Sequence, residues 1–175
     1  MKLKTLLAVL LLSLSFTSIA GAHVVSIDKK SSVSLPFKTY EPKYFAGFMF
    51  KHFTLSDKSL CSDGAARVFA IGGPGTFGNT LPGISVFEKA QGTCASSPEF
   101  NTKISTQRVN GHSAQVWSNC AGVAAGKCGA TQVKANGGLV TWTIPGSKTK
   151  KATVVSVTSY NLSLATLLSV ARSIR

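Results

Sequence analysis

The stretch GLVTWTIPGSKTKKATVVSVTSYNLSLATLLSVARSIR, residues Gly138 to Arg175, decides the fold. It reads as strand, turn, strand and capped helix. Val140, Trp142 and Ile144 alternate with Thr141 and Thr143, the period of a half-buried strand. Pro145-Gly146-Ser147 is a turn signal, with proline pre-set for the first central position and glycine free to take positive φ. Ala152 to Tyr160 is β-branched and reads as the returning strand. Leu164, Leu167, Leu168, Ala171 and Ile174 recur at helical spacing and form one apolar stripe. Ser163 is placed to cap that helix, and Leu162 to staple onto Leu167.

Upstream of this tail the pattern is mostly sheet. Lys103 to Val109, Ser113 to Trp117 and Thr131 to Lys134 read as short strands. Asn110-Gly111 is a tight-hairpin signal, because both central positions of that turn need positive φ. Ala65 to Ile71 and Ile84 to Lys89 are further strands, separated by a long turn, Gly72 to Gly83. Ser56 to Gly64 and Gln91 to Asn101 are polar loops. Tyr44 to Leu55 is an aromatic strand with Phe48, Phe50 and His52 on one face, and Ser32 to Phe37 is a weakly alternating first strand leading to Pro42. No amphipathic helix is expected before Ser163. The fold class is therefore α+β: a largely antiparallel sheet with one C-terminal amphipathic helix packed on it. Phe45, Phe48, Phe50 and Phe53 are candidates to supply its core.

The N-terminus has the form of a targeting segment. Lys2 and Lys4 precede an apolar run, Leu6 to Phe16, and Ala20-Gly21-Ala22 has the small-residue pattern of a signal-peptidase site. The run is too short to span a membrane comfortably. The expectation is a signal peptide over 1–22 and a single secreted or periplasmic domain over 23–175, with no transmembrane segment in the mature chain. A domain of that size can bury a real core.

The formal charge of +13 falls to +11 once Lys2 and Lys4 are removed. From His23 to Glu99 there are eight basic and six acidic residues, whereas from Phe100 to Arg175 there are nine basic and none acidic. Such a surface favours an anionic envelope component or an acidic protein as partner. The alternative is compositional: acidic surroundings disfavour structural carboxylates, which would protonate and lose their partners. Nothing in the sequence calls for specific nucleic-acid binding. Lys148, Lys150 and Lys151, on the turn of the tail hairpin, are the candidate contacts to an anionic surface.

Four cysteines in an exported chain, Cys61, Cys94, Cys120 and Cys128, imply two disulfides and allow three pairings. Cys120 and Cys128 close a short loop between two expected strands, so these two are expected to pair, leaving Cys61 with Cys94. There is no Cys-x-x-Cys, and the three histidines are scattered, which argues against zinc.

The segment LPFKTYEPKYFAGF (Leu35 to Phe48), the strand ISVFEKAQG (Ile84 to Gly92) and the tail from Leu139 together resemble an uncharacterised extracytoplasmic domain. That domain is found behind the membrane segment of some Gram-positive anti-sigma factors and in related secreted proteins. There a tryptophan-bearing strand leads to a strand that ends in a helix of the "eLLkiAeSi" kind. ATLLSVARSIR, Ala165 to Arg175, is similar to that helix without its acidic residues. The resemblance spans most of the mature chain and rests on packing signals. It implies an envelope setting. The cleavable signal and the missing cytoplasmic half depart from the family and put direct transmembrane signalling in doubt.

Enzymatic motifs fail on context. Gly73-x-Gly75-x-x-Gly78 matches a dinucleotide fingerprint, but Asn79-Thr80-Leu81-Pro82-Gly83 follows where a helix N-terminus is needed. Gly111-His112-Ser113-Ala114-Gln115 lacks the last glycine of a nucleophile elbow and runs into a strand. The six carboxylates all lie before Phe100, with no spacing that pairs two across a site. No catalytic residue and no resident cofactor is expected. The aromatic strand Phe45 to Phe53 is a candidate wall for an apolar pocket, with ordinary core as the competing reading.

The reading that follows is a non-enzymatic binding or interaction module of the cell envelope. Two alternatives stand beside it. One is a copper-binding secreted protein in which His23, first in the mature chain, offers its amine and ring nitrogen to the metal, with His52 or His112 completing the site. The other is a cationic effector acting on anionic membranes or envelopes.

Overall fold

The computed structural model describes residues 35–47, 50–55, 66–72, 83–93, 99–124 and 126–175, and of 50–55 and 66–72 the backbone alone. Residues 1–22, expected from sequence to be a signal peptide, together with His23, Cys61, Cys94 and the glycine-rich stretch 73–82, lie outside the described residues.

Seven strands among these residues form one antiparallel sheet: β1 (Phe50–Leu55), β2 (Ala66–Gly72), β3 (Gly83–Ala90), β4 (Thr102–Val109), β5 (His112–Ser118), β6 (Gly138–Ile144) and β7 (Thr153–Tyr160). Helix α1 (Ala130–Asn136) is inserted between β5 and β6, and α2 (Leu164–Ser173) ends the chain. The order across the sheet is β1-β2-β3-β7-β6-β5-β4. Two meanders, β1-β2-β3 and β4-β5-β6-β7, thus join where the last strand pairs with β3. The class is α+β with an antiparallel sheet.

One face of the sheet carries the core. Ile84 and Val86 of β3, Ala114 and Val116 of β5, Val140 and Trp142 of β6, and Val155 and Val157 of β7 are buried in a single cluster. Leu167, Leu168, Val170 and Ala171 of α2, Ile174 just beyond it, and Val133 of α1 belong to the same cluster. The two-residue period of these strands puts every one of the strand positions on one side. Valines therefore supply most of this core. Of the four phenylalanines proposed for it, Phe45 packs against the cluster; Phe48 lies outside the described residues, and Phe50 and Phe53 are described in backbone only.

Several local expectations are corrected. Thr131 to Lys134 is not a strand but the middle of α1. The β-branched Thr131 and Val133 suggested a strand, yet about two turns of helix are enough to bury Val133, and Gln132 Oε1 accepts the Gly129 N–H at 2.9 Å to cap it. The helix stops at Gly137, whose φ of 86° ends the right-handed run. Only Phe50 to Leu55 of the stretch Tyr44 to Leu55 is described as strand. Ala46 and Gly47 instead have φ of 51° and 81° and make a turn. Upstream of that turn, Glu41 exchanges backbone hydrogen bonds with Arg175, and the Lys43 N–H donates to the Ser173 carbonyl. Phe37 is buried and makes a single parallel bridge to Lys151 rather than a strand.

The tail hairpin has a longer connection than a tight turn. Gly146 is required for a reason other than φ: a Cβ there would run into the Lys150 carbonyl oxygen and sit 2.7 Å from the Ala152 nitrogen. Asn110-Gly111 does form the expected hairpin, with φ of 49° and 85°. In α2, Ser163 Oγ accepts the Thr166 N–H at 3.1 Å. On the edge strand β4, a bulge between Lys103 and Ser105 sets Ile104 against the core cluster. Such a bulge, with Lys103 and Arg108 exposed, discourages pairing with a further strand.

Candidate functional site

The opposite parity of the same strands forms the other face. Phe87 and Lys89 of β3, Gln115 and Trp117 of β5, Leu139 and Thr141 of β6, and Val154, Ser156 and Thr158 of β7, with Phe100, line a cavity of about 510 Å³. Volumes of about 300–1,000 Å³ with apolar walls and few polar groups are typical of ligand sites.

The strand register orders this lining into rows. One row runs Phe87, Ser156, Thr141, Gln115, Thr106. The next runs Ser85, Thr158, Leu139, Trp117, Lys103. Within the rows hydroxyls pair with hydroxyls: Thr141 with Ser156 at 3.0 Å and Ser85 with Thr158 at 2.5 Å. On β2 and β1, register sets Val68 opposite Phe87 and Phe53 opposite Val68, whereas Phe50 and His52 share the parity of the covered face.

The two ends of the groove differ in chemistry. At one end Phe100 meets Tyr160 with ring centroids 6.1 Å apart, and the Tyr160 hydroxyl donates to Glu99 Oε1 at 2.5 Å. Burial first, then the hydrogen bond to Glu99 and its negative charge, hold the Tyr160 phenol well above its ordinary range. At the other end Lys89 pairs in register with Val154, which follows Thr153, the first residue after the β6–β7 connection.

Lys148, Lys150 and Lys151 are all exposed on that connection. Lys150 Nζ donates to the Leu35 carbonyl at 2.5 Å, and the Lys151 N–H donates to the Pro36 carbonyl at 2.8 Å. The loop is thereby tied to the segment before Phe37. It is brought to the Lys89 end of the sheet.

Beneath the groove, Glu88 is fully buried on the covered face, and its Oε1 accepts the Tyr40 N–H at 2.8 Å. Arg67 occupies the register position across from it on β2. Burial, and then the charge of Glu88, raise the pKa of Tyr40.

Cys120 and Cys128 form a disulfide with Cα atoms 5.9 Å apart. It closes the loop between β5 and α1, not between two strands. Beside it a smaller polar cavity of about 240 Å³ is lined by Asn119, Asn136, Gly137 and Asn161 among others. Asn136 Nδ2 donates to the Asn119 carbonyl, and Ser118 Oγ to the Gly137 carbonyl, so this region is a cross-linked corner.

Among the described residues no group of three or more His, Cys, Asp or Glu side chains could hold a metal ion. His112 is half-buried at the start of β5, and His23 lies outside the described residues. No helix among the described residues is long and apolar enough to cross a membrane.

Of the aromatic strand singled out from sequence as a pocket wall, Phe48 lies outside the described residues and Phe50 and Phe53 are described in backbone only; the described lining comes from β3, β5, β6, β7 and Phe100. Phe87, Phe100, Trp117 and Leu139 were missed. Their signal was present: β5 carries Trp117 on one parity and Val116 on the other, and β6 carries Leu139 beside Val140. Large apolar residues on both parities mean that neither face is simply solvated.

No protein-family model, curated protein or solved structure matches this chain.

Proposed function

We propose that this chain is a secreted or periplasmic, non-enzymatic binding module of the cell envelope, which takes an anionic component on the open face of its sheet. The observation that carries the reading is the groove of Phe87, Phe100, Trp117 and Leu139 on the face opposite α1 and α2. Phe87, Trp117 and Leu139 are half-buried and Phe100 is buried, a mostly apolar lining with a few polar groups of the kind that ligand clefts have. Apart from Phe100, the described side chains lining it are positioned by strands, which supports binding by a rigid, preformed surface. All nine basic residues between Phe100 and Arg175 are exposed, which favours an anionic partner. The resemblance to the extracytoplasmic domain of anti-sigma factors agrees with an envelope setting.

The test is sedimentation of the secreted protein with anionic envelope polymer at low and high salt, combined with acrylamide quenching of Trp117. Binding should protect Trp117, weaken with salt because exposed charges are screened beyond about 10 Å at 0.1 M, and fall in Trp117→Ala. Binding that leaves Trp117 open to quencher would move the function off the groove. Leakage of anionic vesicles by the protein would favour the cationic effector instead.

A further inference from the structure

Resting on that reading of the open face, we propose that the component it takes is an extended acidic glycan, lying across the strands. Its sugar rings rest on Trp117 and Leu139, and its ring hydroxyls meet Gln115, Thr141 and Ser156. Its carboxylates lie toward Lys103 and Arg108 on the edge strand.

The hydrogen-bonding capacity of the polar row is the first argument. Gln115 is exposed, and its side-chain amide makes no hydrogen bond among the described residues. An amide side chain offers donors and an acceptor together. A purely apolar ligand laid over Gln115 would strand both at their full desolvation cost. Thr141 and Ser156 follow in the same row, with their hydroxyls 3.0 Å apart. One proton joins the two oxygens, and the other, with the remaining lone pairs, is left for a ligand. Either oxygen can be the donor, so the pair can meet a sugar hydroxyl in either sense.

The second argument is the arrangement of the rows. Trp117 and Leu139 face one another in register, two positions along β5 and β6 from Gln115 and Thr141. A polar row and an apolar row thus run side by side across the strands, about 7 Å apart at the usual rise of a strand. A pyranose ring has the same division, with hydroxyls around its rim and C–H bonds on its faces. Neighbouring strands lie about 4.8 Å apart, close to the length of one sugar unit in an extended chain. Thr106, on β4, opens the polar row, and from it to Ser156 on β7 is three such steps, about 14 Å, room for three rings.

Charge is the third. Lys103 stands across from Trp117 and Arg108 across from Ser113, both on the parity of the open face. Both are exposed, and neither makes an ion pair among the described residues. No described lining residue of the groove is acidic. Carboxylates carried outside the rings reach these two cations at the exposed edge, so neither partner has to give up its water.

The experiment is titration calorimetry of the secreted protein with hyaluronan hexasaccharide, a β-linked chain with a carboxylate on every second ring, and with its carboxyl-reduced neutral form. Poly(glycerol phosphate), an anionic envelope polymer without sugar rings, is the third probe. Acrylamide quenching reports on Trp117, because the other tryptophan, Trp142, is buried. Near-UV circular dichroism monitors folding of each variant. The acidic hexasaccharide should bind one per chain, protect Trp117, and bind at least fivefold more tightly than its reduced form. Gln115→Ala should weaken both forms at least fivefold. Lys103→Gln combined with Arg108→Gln should bind the two forms equally, whereas Lys134→Gln, at an exposed position of α1, should change either less than twofold.

Equal binding of the two hexasaccharides by the wild-type chain, or an unchanged affinity in Gln115→Ala, would overturn the placement. If the acidic hexasaccharide fails to bind while poly(glycerol phosphate) protects Trp117, the glycan inference falls and the binding-module reading stands. If Trp117 stays open to quencher with every probe, both fall.

Discussion

Asn110 Nδ2 donates to the Ile174 carbonyl oxygen at 2.7 Å, joining the β4–β5 turn to the end of α2 across 64 residues of sequence. The same asparagine holds φ at 49°, a conformation that costs most residues roughly 1–2 kcal/mol. It has two roles, and they are separable. Asn110→Gly keeps the turn and loses the bond, so it should cost about 0.5–1.5 kcal/mol. Asn110→Ala loses the bond and strains the turn, and should cost about 2–3 kcal/mol. Urea denaturation of both variants checks the order; equal losses would mean that the turn conformation contributes nothing.

Leu168 is 7 % exposed and Leu167 fully buried, on the side of α2 that shares a cluster with Val140 and Val157. Truncating either to alanine removes buried methylenes and leaves a cavity, at about 2–5 kcal/mol. Ser169→Ala, at an exposed position of the same helix, should be within about 0.5 kcal/mol of wild type. A thermal melt that treats Leu168→Ala and Ser169→Ala alike would make α2 peripheral.

The Cys120–Cys128 bond spans eight positions. Closing a loop of that size restricts the unfolded chain by about 2–3 kcal/mol. The double Cys→Ser variant should therefore melt lower while keeping the α+β circular dichroism spectrum, since β5 and β6 pair with each other independently of the bond. Non-reducing peptide mapping should recover Cys120 joined to Cys128, and Cys61 joined to Cys94. A peptide linking Cys61 to Cys120 or Cys128 contradicts the pairing.

Tyr160 predicts a loss of stability in base. Its folded-state pKa is raised, chiefly by burial, so the folded chain holds this proton more tightly than the unfolded chain. The folded state binds more protons above the ordinary tyrosine range, so stability falls as pH rises. The contribution is fully present below about 10, the unperturbed value, and is lost as pH climbs above it. Tyr160→Phe removes both the ionisation and the bond to Glu99, and should flatten this part of the pH profile. Absorbance at the phenolate band during alkaline titration, followed together with unfolding, is the measurement. Ionisation of Tyr160 at the ordinary tyrosine pH would show the ring to be open to water.

Much of the tail was legible because its signals are local. Alternation in Val140 to Ile144, a β-branched run to Tyr160 and a serine ahead of an apolar stripe each follow from the dihedral preferences of the residues concerned. Asn110-Gly111 was legible for the same reason, since few residue pairs tolerate two positive φ values. Thr131 to Lys134 was misread because four residues carry too weak a local preference. The capping of Gly129 by Gln132 and the burial of Val133 outweigh the β preference of the threonine and the valine. Gly146 was assigned the wrong cause: a close approach of backbone is a property of the folded chain, and it leaves no pattern in the sequence.

By itself, the sequence determined the basic excess, the cysteine inventory, the order of strands and terminal helix in the tail, and which residues alternate along each strand. The tertiary structure alone decided which strands neighbour one another, and hence what the alternation builds. Pairing β7 with β3 brings Phe87 into line with Ser156 and Thr141, residues far apart in the chain. Residues of α1 and α2 share the buried cluster of one parity, while the other parity lines the groove with Trp117 and Leu139. Period-two alternation says that two faces exist; the pairing of distant strands and the placement of the helices select the one that α1 and α2 cover.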